Sequence, residues 1–219
     1  MSNFIVYSVP GSPYGRAVLA ALEEKGVAYR FSPLAPGASK SEPHLSRHPF
    51  GRVPVLEHDG FLLYETQAIL RYLDRVLPLP ALAPSEIKAL ARMDQVMNIC
   101  DWYLMQGVNN VIGFHRIIGP RLLGLAPDEA AIAAAMPRGH TVFNELSSLL
   151  GAQSFFCGDQ LSLADLLAAA HMDFLAPTPE WKTLTARCPN LVSWLERMNS
   201  RPSFARTTWE RLAEFTKAA

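Results

Sequence analysis

The segment NFIVYSVPGSPYGRAVLAALEEKG, from Asn3 to Gly26, decides the fold that the sequence predicts. Its first part, NFIVYSV, is rich in β-branched and aromatic residues, which favours a short buried strand. The second part, PYGRAVLAALEEKG, places Val18, Leu19 and Leu22 at helical spacing, and Gly26 suits the position just after a helix. We therefore predict a strand and a helix, joined by the loop VPGS.

The next sixty residues extend this unit into a small mixed sheet. VAYRFSPL has the character of a second strand, so the order βαβ predicts two parallel strands with a right-handed crossover. VPVLEHDGFLLYE predicts an antiparallel hairpin, because Asp59-Gly60 suits a type I′ turn in which both central residues have positive φ. TQAILRYLDRVL then has helical spacing, which completes the order ββα.

Proline separates this half of the chain from a second half that has only helical patterns. PLPALAP, residues 78–84, contains three prolines and is predicted to be a linker. Helical stretches follow at about 86–117, 128–150, 162–176, 189–200 and 203–216; in one of them Ser162 and Asp165 have the spacing of a capping box. The predicted fold class is α+β, with an N-terminal domain over residues 1–77 and an all-helical domain over residues 85–219.

Composition excludes several classes of function. The 20 basic and 20 acidic residues cancel and form no basic stripe, so we expect no nucleic-acid partner. The three cysteines form no CxxC pair and are odd in number, which argues against a disulfide framework or a zinc site and fits a cytoplasmic protein. No run of 18 apolar residues and no leader pattern is present, so membrane spanning and export are not expected.

Ser12, in the loop between the first strand and the first helix, has two interpretations. Serine is a preferred helix N-cap, and Pro13 behind it suits the first helical position, so Ser12 could serve only to start the helix. A helix N-terminus at the carboxyl end of a strand is also a place where an anion can be held, and a hydroxyl there can donate to that anion. The residue alone leaves both interpretations open.

A resemblance favours the second interpretation. PGSPYGRAV, HPFGRVPVL, YETQAILRYL and GDQLSLADLLAA, in this order along essentially the whole chain, resemble the cytosolic glutathione transferases. The resemblance is to serine-type classes (theta-like, delta-like and phi-like) and to bacterial-type members, and it implies a thioredoxin-like N-terminal domain. SPYG lies where related glutaredoxins have CPYC, which puts Ser12 in the sulfur-binding position; Tyr7, the position used by tyrosine-type classes, is the second choice.

The resemblance also implies the residues that bind glutathione, the co-substrate. Val53, before an expected cis-Pro54, would pair through its backbone with the cysteinyl unit. Glu65 would meet the γ-glutamyl ammonium, and Thr66, in place of the family's usual serine, would meet its carboxylate. Lys40 and Arg52 would hold the glycine carboxylate, although either could simply be a solvated surface charge.

The implied activity is conjugation of the glutathione thiolate to an electrophilic small molecule, by a homodimer that uses no metal. Reduction of peroxides with glutathione is a possible side activity. The alternative is a non-catalytic module of the same fold that binds a partner protein or apolar ligands. The predicted pocket for the electrophile is lined by Pro10, Tyr14, Trp102, Tyr103, Phe114 and His115.

Overall fold

The computed structural model describes residues 3–35 and 37–217, and the chain divides into two units. The first unit joins Met1–Ala83 with Asn199–Ala219, and the second comprises Pro84–Met198. The sequence, in contrast, predicts one helical domain over residues 85–219. The C-terminal segment instead belongs to the first unit, because its helices pack on elements of that unit.

The first unit is built on a four-stranded sheet in the order β2-β1-β3-β4. The strands are β1 (Phe4–Ser8), β2 (Tyr29–Pro33), β3 (Val55–His58) and β4 (Phe61–Tyr64), and the helices between and after them are α1 (Pro13–Glu24), α2 (His44–Arg47) and α3 (Thr66–Val76). β1 and β2 are parallel, whereas β3 is antiparallel to both β1 and β4. This arrangement confirms the predicted βαβ-ββα order.

Two local predictions in the first unit are confirmed by backbone geometry. Asp59 and Gly60 have φ of 49° and 85°, the positive values that a type I′ hairpin turn requires. Gly26 follows α1 with φ of 65°, as expected for a left-handed residue after a helix. These turns set the register of the hairpin and end α1 where the apolar spacing ends.

The second unit is helical throughout most of its described residues. It contains α4 (Ile87–Ile99), which continues as a π-helix (Cys100–Leu123), then α5 (Glu129–Leu150), α6 (Leu163–Leu175), α7 (Pro179–Thr185) and α8 (Pro189–Asn199). α6 is buried along almost its entire length, because its leucines and alanines leave no polar face. The sequence did not predict α2 or α7, which are short and have little periodicity to detect.

The C-terminal segment forms two helices where the sequence predicts one helix over 203–216. These are α9 (Pro202–Arg206) and α10 (Trp209–Lys217), which pack against α1 and β2, respectively. Between them the Thr207 hydroxyl donates to the Ser203 carbonyl at 2.7 Å, which ends α9 one turn after it begins.

Candidate functional site

The strand register brings the predicted site segments to one end of the sheet. Tyr7 of β1 lies opposite Val55 of β3, and Val55 lies opposite Tyr64 of β4. The loop that follows β1, the residues that precede β3 and the residues that follow β4 therefore meet at the same edge. Ser12, Val53-Pro54 and Glu65-Thr66 belong to these three segments.

Ser12 is the N-cap of α1, as its first interpretation predicts. Its Oγ accepts a hydrogen bond from the Gly15 amide at 3.1 Å, and Pro13 occupies the first helical position. The hydroxyl proton is not used in this bond, because the oxygen acts only as acceptor. Ser12 is half-buried, so a cap and a donor to a bound anion are compatible roles for the same side chain.

Tyr7, the second choice, has its hydroxyl engaged elsewhere. It donates to the Glu57 carboxylate at 2.7 Å, and the Arg47 guanidinium lies 4.3 Å from the centre of its ring. Burial, together with the hydrogen bond to Glu57, raises the pKa of Tyr7. A buried phenol that already donates to a carboxylate is a poor donor to a sulfur, so the geometry favours Ser12 over Tyr7.

The Val53–Pro54 peptide bond is cis, as the resemblance implies. Within residues 3–35 and 37–217, neither the amide nor the carbonyl of Val53 hydrogen-bonds to another group, although Val53 is half-buried. The preceding carbonyl, that of Arg52, accepts from His44 Nε2 at 2.7 Å. Val53 thus offers one donor and one acceptor in a segment that His44 holds in place, and sequence reasoning did not identify His44.

Glu65 has a backbone conformation that is rare for a residue with a side chain. Its φ is 71° and its ψ is 112°, at the N-cap of α3. Such conformations cost about 1–3 kcal/mol and concentrate at functional sites. The side chain of Glu65 is exposed, whereas Thr66 at the first helical position is buried with only 7% of its surface accessible.

A buried histidine, His48, lies between α2 and β3, in the segment that leads to Val53. Burial lowers the pKa of His48; the carboxylate of Glu65 acts in the opposite direction, and His44, Arg52 and Lys40 lower the pKa further. The His48 ring stacks on Tyr64 with ring centres 4.6 Å apart. His48 is therefore neutral at neutral pH, and sequence reasoning did not identify it.

The two candidate cations differ in how they are held. The ammonium of Lys40 donates to the Phe50 carbonyl at 3.1 Å, which fixes its position beside the loop before β3. Arg52 is exposed. With Glu65 they present two positive charges and one negative charge, an arrangement that suits a ligand with two carboxylates and one ammonium group.

The residues predicted to line the electrophile pocket lie in both units. Pro10 and Tyr14 flank Ser12 in the first unit, and the others belong to the π-helix of the second unit. Of these, Trp102 and Tyr103 are 67% and 53% exposed. Phe114 and His115 are half-buried, and their rings meet edge to face with ring centres 5.2 Å apart. The pocket itself stays a prediction.

His115 has a structural contact that accounts for its position. Its Nδ1 accepts a hydrogen bond from the Asp128 amide at 3.3 Å, at the residue that caps α5. The ring is therefore already bonded to the start of the next helix.

Two of the three cysteines are neutral thiols, and the described residues contain no cluster of the usual metal ligands. Burial raises the pKa of Cys100 and of Cys157, so both thiols are protonated at neutral pH. No group of three His, Cys, Asp or Glu residues in 3–35 and 37–217 could hold a metal ion. In the same part of the chain, no helix combines the length and the apolar character needed to cross a membrane.

Comparisons with known proteins match both units. The family model described as glutathione S-transferase, N-terminal domain, matches residues 2–75, and the model for the C-terminal domain of the same family matches residues 109–202. A probable glutathione S-transferase of Oryza sativa subsp. japonica is 30% identical over 187 residues, which cover 84% of this chain and 86% of that protein.

Solved structures agree with these matches. A glutathione S-transferase from Rhodospirillum rubrum is 27% identical, with a TM-score of 0.80 over 93% of this chain and 91% of its own. The structure of a glutathione S-transferase I bound to lactoylglutathione is also 27% identical, with a TM-score of 0.82 over 93% and 97% of the two chains.

Proposed function

This chain belongs to the glutathione S-transferase family, and we propose that it conjugates the glutathione thiolate to an electrophilic small molecule, with Ser12 as the hydrogen-bond donor to the sulfur. The observation that carries the proposal is the convergence of the Ser12 hydroxyl, the Val53 backbone and the Glu65-Thr66 helix start at one end of the sheet.

Glutathione would bind in extended form across this end of the sheet. The Val53 amide and carbonyl would pair with the cysteinyl unit as one strand pairs with another. Glu65 would take the γ-glutamyl ammonium and Thr66, at the positive end of α3, the neighbouring carboxylate. Lys40 and Arg52 would take the glycine carboxylate at the other end.

The hydrogen bond from Ser12 would make the sulfur reactive at neutral pH. A thiol with a pKa of about 8.5 is only about 3% ionised at pH 7. A charge-assisted hydrogen bond stabilises the thiolate by about 1.5–3 kcal/mol, which lowers that pKa by about one to two units.

Thiolate formation alone gives a modest rate gain. A decrease of two units raises the thiolate fraction about 25-fold, but a Brønsted slope of about 0.45 makes each thiolate about 8-fold less nucleophilic, so the net gain is only about threefold. Most of the acceleration would come from holding the sulfur against the electrophile in a fixed orientation.

A serine at position 12 also limits which other reactions of this fold are possible here. Disulfide exchange needs a cysteine to form the mixed disulfide, and a serine cannot form one. Reduction of peroxides needs only the glutathione thiolate and is compatible with the same site. A non-catalytic binding module is the second candidate function, since the fold alone does not require catalysis.

The remaining expectations concern the oligomeric state, the cellular location and the physiological role. A homodimer is consistent with large apolar side chains that the isolated chain exposes: Phe50 is 65% exposed, and Phe61 on β4 is 52% exposed. Sedimentation of the full chain tests this assembly. A cytoplasmic location and a role in detoxification agree with the proposed chemistry and rest on it.

The decisive experiment compares Ser12→Ala with the parent chain. We expect Ser12→Ala to retain glutathione binding and to raise the pH midpoint of kcat/KM for the electrophile, measured at saturating glutathione, by about one to two units, because the bound thiolate loses one charge-assisted hydrogen bond. The measurement is conjugation of a generic aryl halide from pH 5.5 to 9.

Two further arms separate the alternatives. Tyr7→Phe should leave the midpoint in place; a shift in this variant and none in Ser12→Ala would transfer the role to Tyr7. Retention on immobilised glutathione together with conjugation supports the enzyme. Absence of both, with a stable protein partner recovered instead, would support the binding module.

A further inference from the structure

The C-terminal segment is attached to α1 by a charged contact between residues far apart in the sequence. Arg201 donates to both carboxylate oxygens of Glu24, at 2.7 and 2.9 Å, and the Ser203 hydroxyl donates to the same carboxylate. Burial by itself would raise the pKa of Glu24, but the hydrogen bonds from Arg201 and Ser203 outweigh it, so the pKa is lowered. We call Glu24, Arg201 and Ser203 the latch.

A second contact carries the segment toward the start of α1. The guanidinium of Arg16 lies 4.9 Å from the centre of the Phe204 ring and donates to the Phe204 carbonyl at 3.3 Å. Phe204 is completely buried. The latch and Phe204 together fix α9 along α1, and α10 begins three residues after α9 ends.

The first residue of α10, Trp209, lies against the loop that carries Ser12. A Cβ added to Gly11 would overlap Cδ2 of the indole and would lie 2.5 Å from its Cε3, so the ring fills the space where a side chain would be. Gly11 has φ of 84°, a conformation that glycine adopts without strain. Glycine is also the residue that leaves this conformation most easily.

We propose that Trp209 is a positioning residue for Ser12. The indole restricts Gly11 to its observed conformation, and Gly11 precedes the hydroxyl that would donate to the glutathione sulfur, so Trp209 sets the direction of that hydroxyl. This inference rests on the proposed function of Ser12. It assigns a role in the reaction to a side chain in the C-terminal segment, 197 positions after Ser12 in the sequence.

The placement of Trp209 separates it from the residues that attach the segment. The latch and Phe204 contact α1 along its length, whereas Trp209 contacts the loop before it and is only half-buried. Loss of Trp209 therefore leaves those attachments intact and removes the wall of the loop. Because a hydrogen bond to a charged sulfur depends on direction and distance, a loosened loop would weaken it.

The test measures the pH midpoint of kcat/KM and the ultraviolet absorbance of the bound thiolate in Trp209→Ala, Trp209→Phe and Phe215→Ala. We expect Trp209→Ala to raise the midpoint by about half a unit to one unit, which is part of the shift expected on losing the whole hydrogen bond. Trp209→Phe should restore most of it. Phe215→Ala is the matched control, since Phe215 is an aromatic residue of the same helix that contacts Phe31 of β2.

A double variant separates this inference from the proposed function. In the Ser12→Ala background, Trp209→Ala should produce no further shift, because there is no hydroxyl left to position. If Ser12→Ala moves the midpoint and Trp209→Ala does not, the inference is wrong and the function of Ser12 stands. If Ser12→Ala itself does not move the midpoint, the proposed function of Ser12 fails first.

Thermal unfolding completes the series. A variant that unfolds earlier yet keeps the parent midpoint contradicts the positioning role, since a merely structural contact affects stability alone. An equal shift in Phe215→Ala would also overturn it, because the effect would then belong to α10 as a whole.

Discussion

The end of the sheet in the first unit and the buried network around Asp165 in the second unit use their polar groups differently. At the end of the sheet in the first unit, the Val53 backbone carries no hydrogen bond within residues 3–35 and 37–217, and Glu65 has a strained backbone. In the helical unit, the buried carboxylate of Asp165 accepts from the Phe156 and Ser162 amides, the Ser162 hydroxyl and the Trp194 indole. The difference is between an end of the sheet whose groups a ligand could engage and a buried network whose groups hold the fold.

Removing the carboxylate of Asp165 is the strongest test of whether this network holds the fold. Asp165→Ala leaves the Phe156 amide, the Ser162 amide and the Trp194 indole without their acceptor, and each buried orphan costs about 1–3 kcal/mol. We expect the free energy of unfolding, measured in urea, to fall by more than about 4 kcal/mol.

Ser162→Ala is the control for that measurement. It removes one donor to the carboxylate and keeps the other three, so its loss should be about 1–2 kcal/mol. Equal losses in the two variants would show that Asp165 is not the centre of the network.

A second prediction concerns the pH dependence of the helical unit. Burial lowers the pKa of His171 to about 4, although its hydrogen bond to the Leu167 carbonyl partly offsets this effect. Since the folded pKa lies below the unfolded value of about 6.5, this contribution is fully present above pH 6.5 and is lost as the pH falls toward 4. The expected loss is about 3 kcal/mol.

His171→Phe is the matched variant, because it keeps a ring of similar size and cannot be protonated. Urea unfolding at pH 7 and at pH 4 should then differ by about 3 kcal/mol less than in the parent chain. An unchanged pH dependence would assign the acid sensitivity to other groups.

The smallest expected effect on stability is that of a substitution at Glu65, at the end of the sheet in the first unit. It tests whether the backbone there is strained while the side chain serves a ligand. Glu65→Gly relieves a positive φ and should raise the free energy of unfolding by about 1 kcal/mol. The same change removes the proposed partner of the γ-glutamyl ammonium, so the Kd for glutathione should rise about tenfold or more.

Glu65→Ala provides the comparison, because it loses the same carboxylate and keeps the strained backbone. We expect it to bind glutathione as weakly as Glu65→Gly and to be less stable than that variant. Titration calorimetry and urea unfolding measure the two quantities; a Glu65→Gly variant no more stable than Glu65→Ala would mean that the backbone of Glu65 is not strained.

Local patterns were sufficient for most elements of the fold. The βαβ-ββα order, the Asp59-Gly60 turn and the Ser162–Asp165 pair depend on neighbouring residues, and all three are present in the structure. Helices predicted at 128–150, 162–176 and 189–200 agree with α5, α6 and α8 to within one residue at either end. The short helices α2 and α7 escaped prediction because four and seven residues carry too little periodicity.

The candidate site was only partly accessible to sequence reasoning. The resemblance made Ser12, Val53 and Glu65 candidates because they lie within short ordered motifs. His44 and His48 were missed, because their place near the site depends on the Arg52 carbonyl that His44 bonds and on the stacking of His48 against Tyr64. A single histidine in the sequence gives no local sign of either relation.

The sequence by itself determined the strands, the turns, the caps and the order of the site motifs, because these follow from residues within a few positions of one another. Only the tertiary structure decided that the C-terminal segment returns to α1 and places Trp209 on Gly11. The physical reason is that this return depends on a bidentate contact between Arg201 and Glu24, which are 177 positions apart, and on the space left by a missing Cβ. Neither leaves a periodic trace in the sequence.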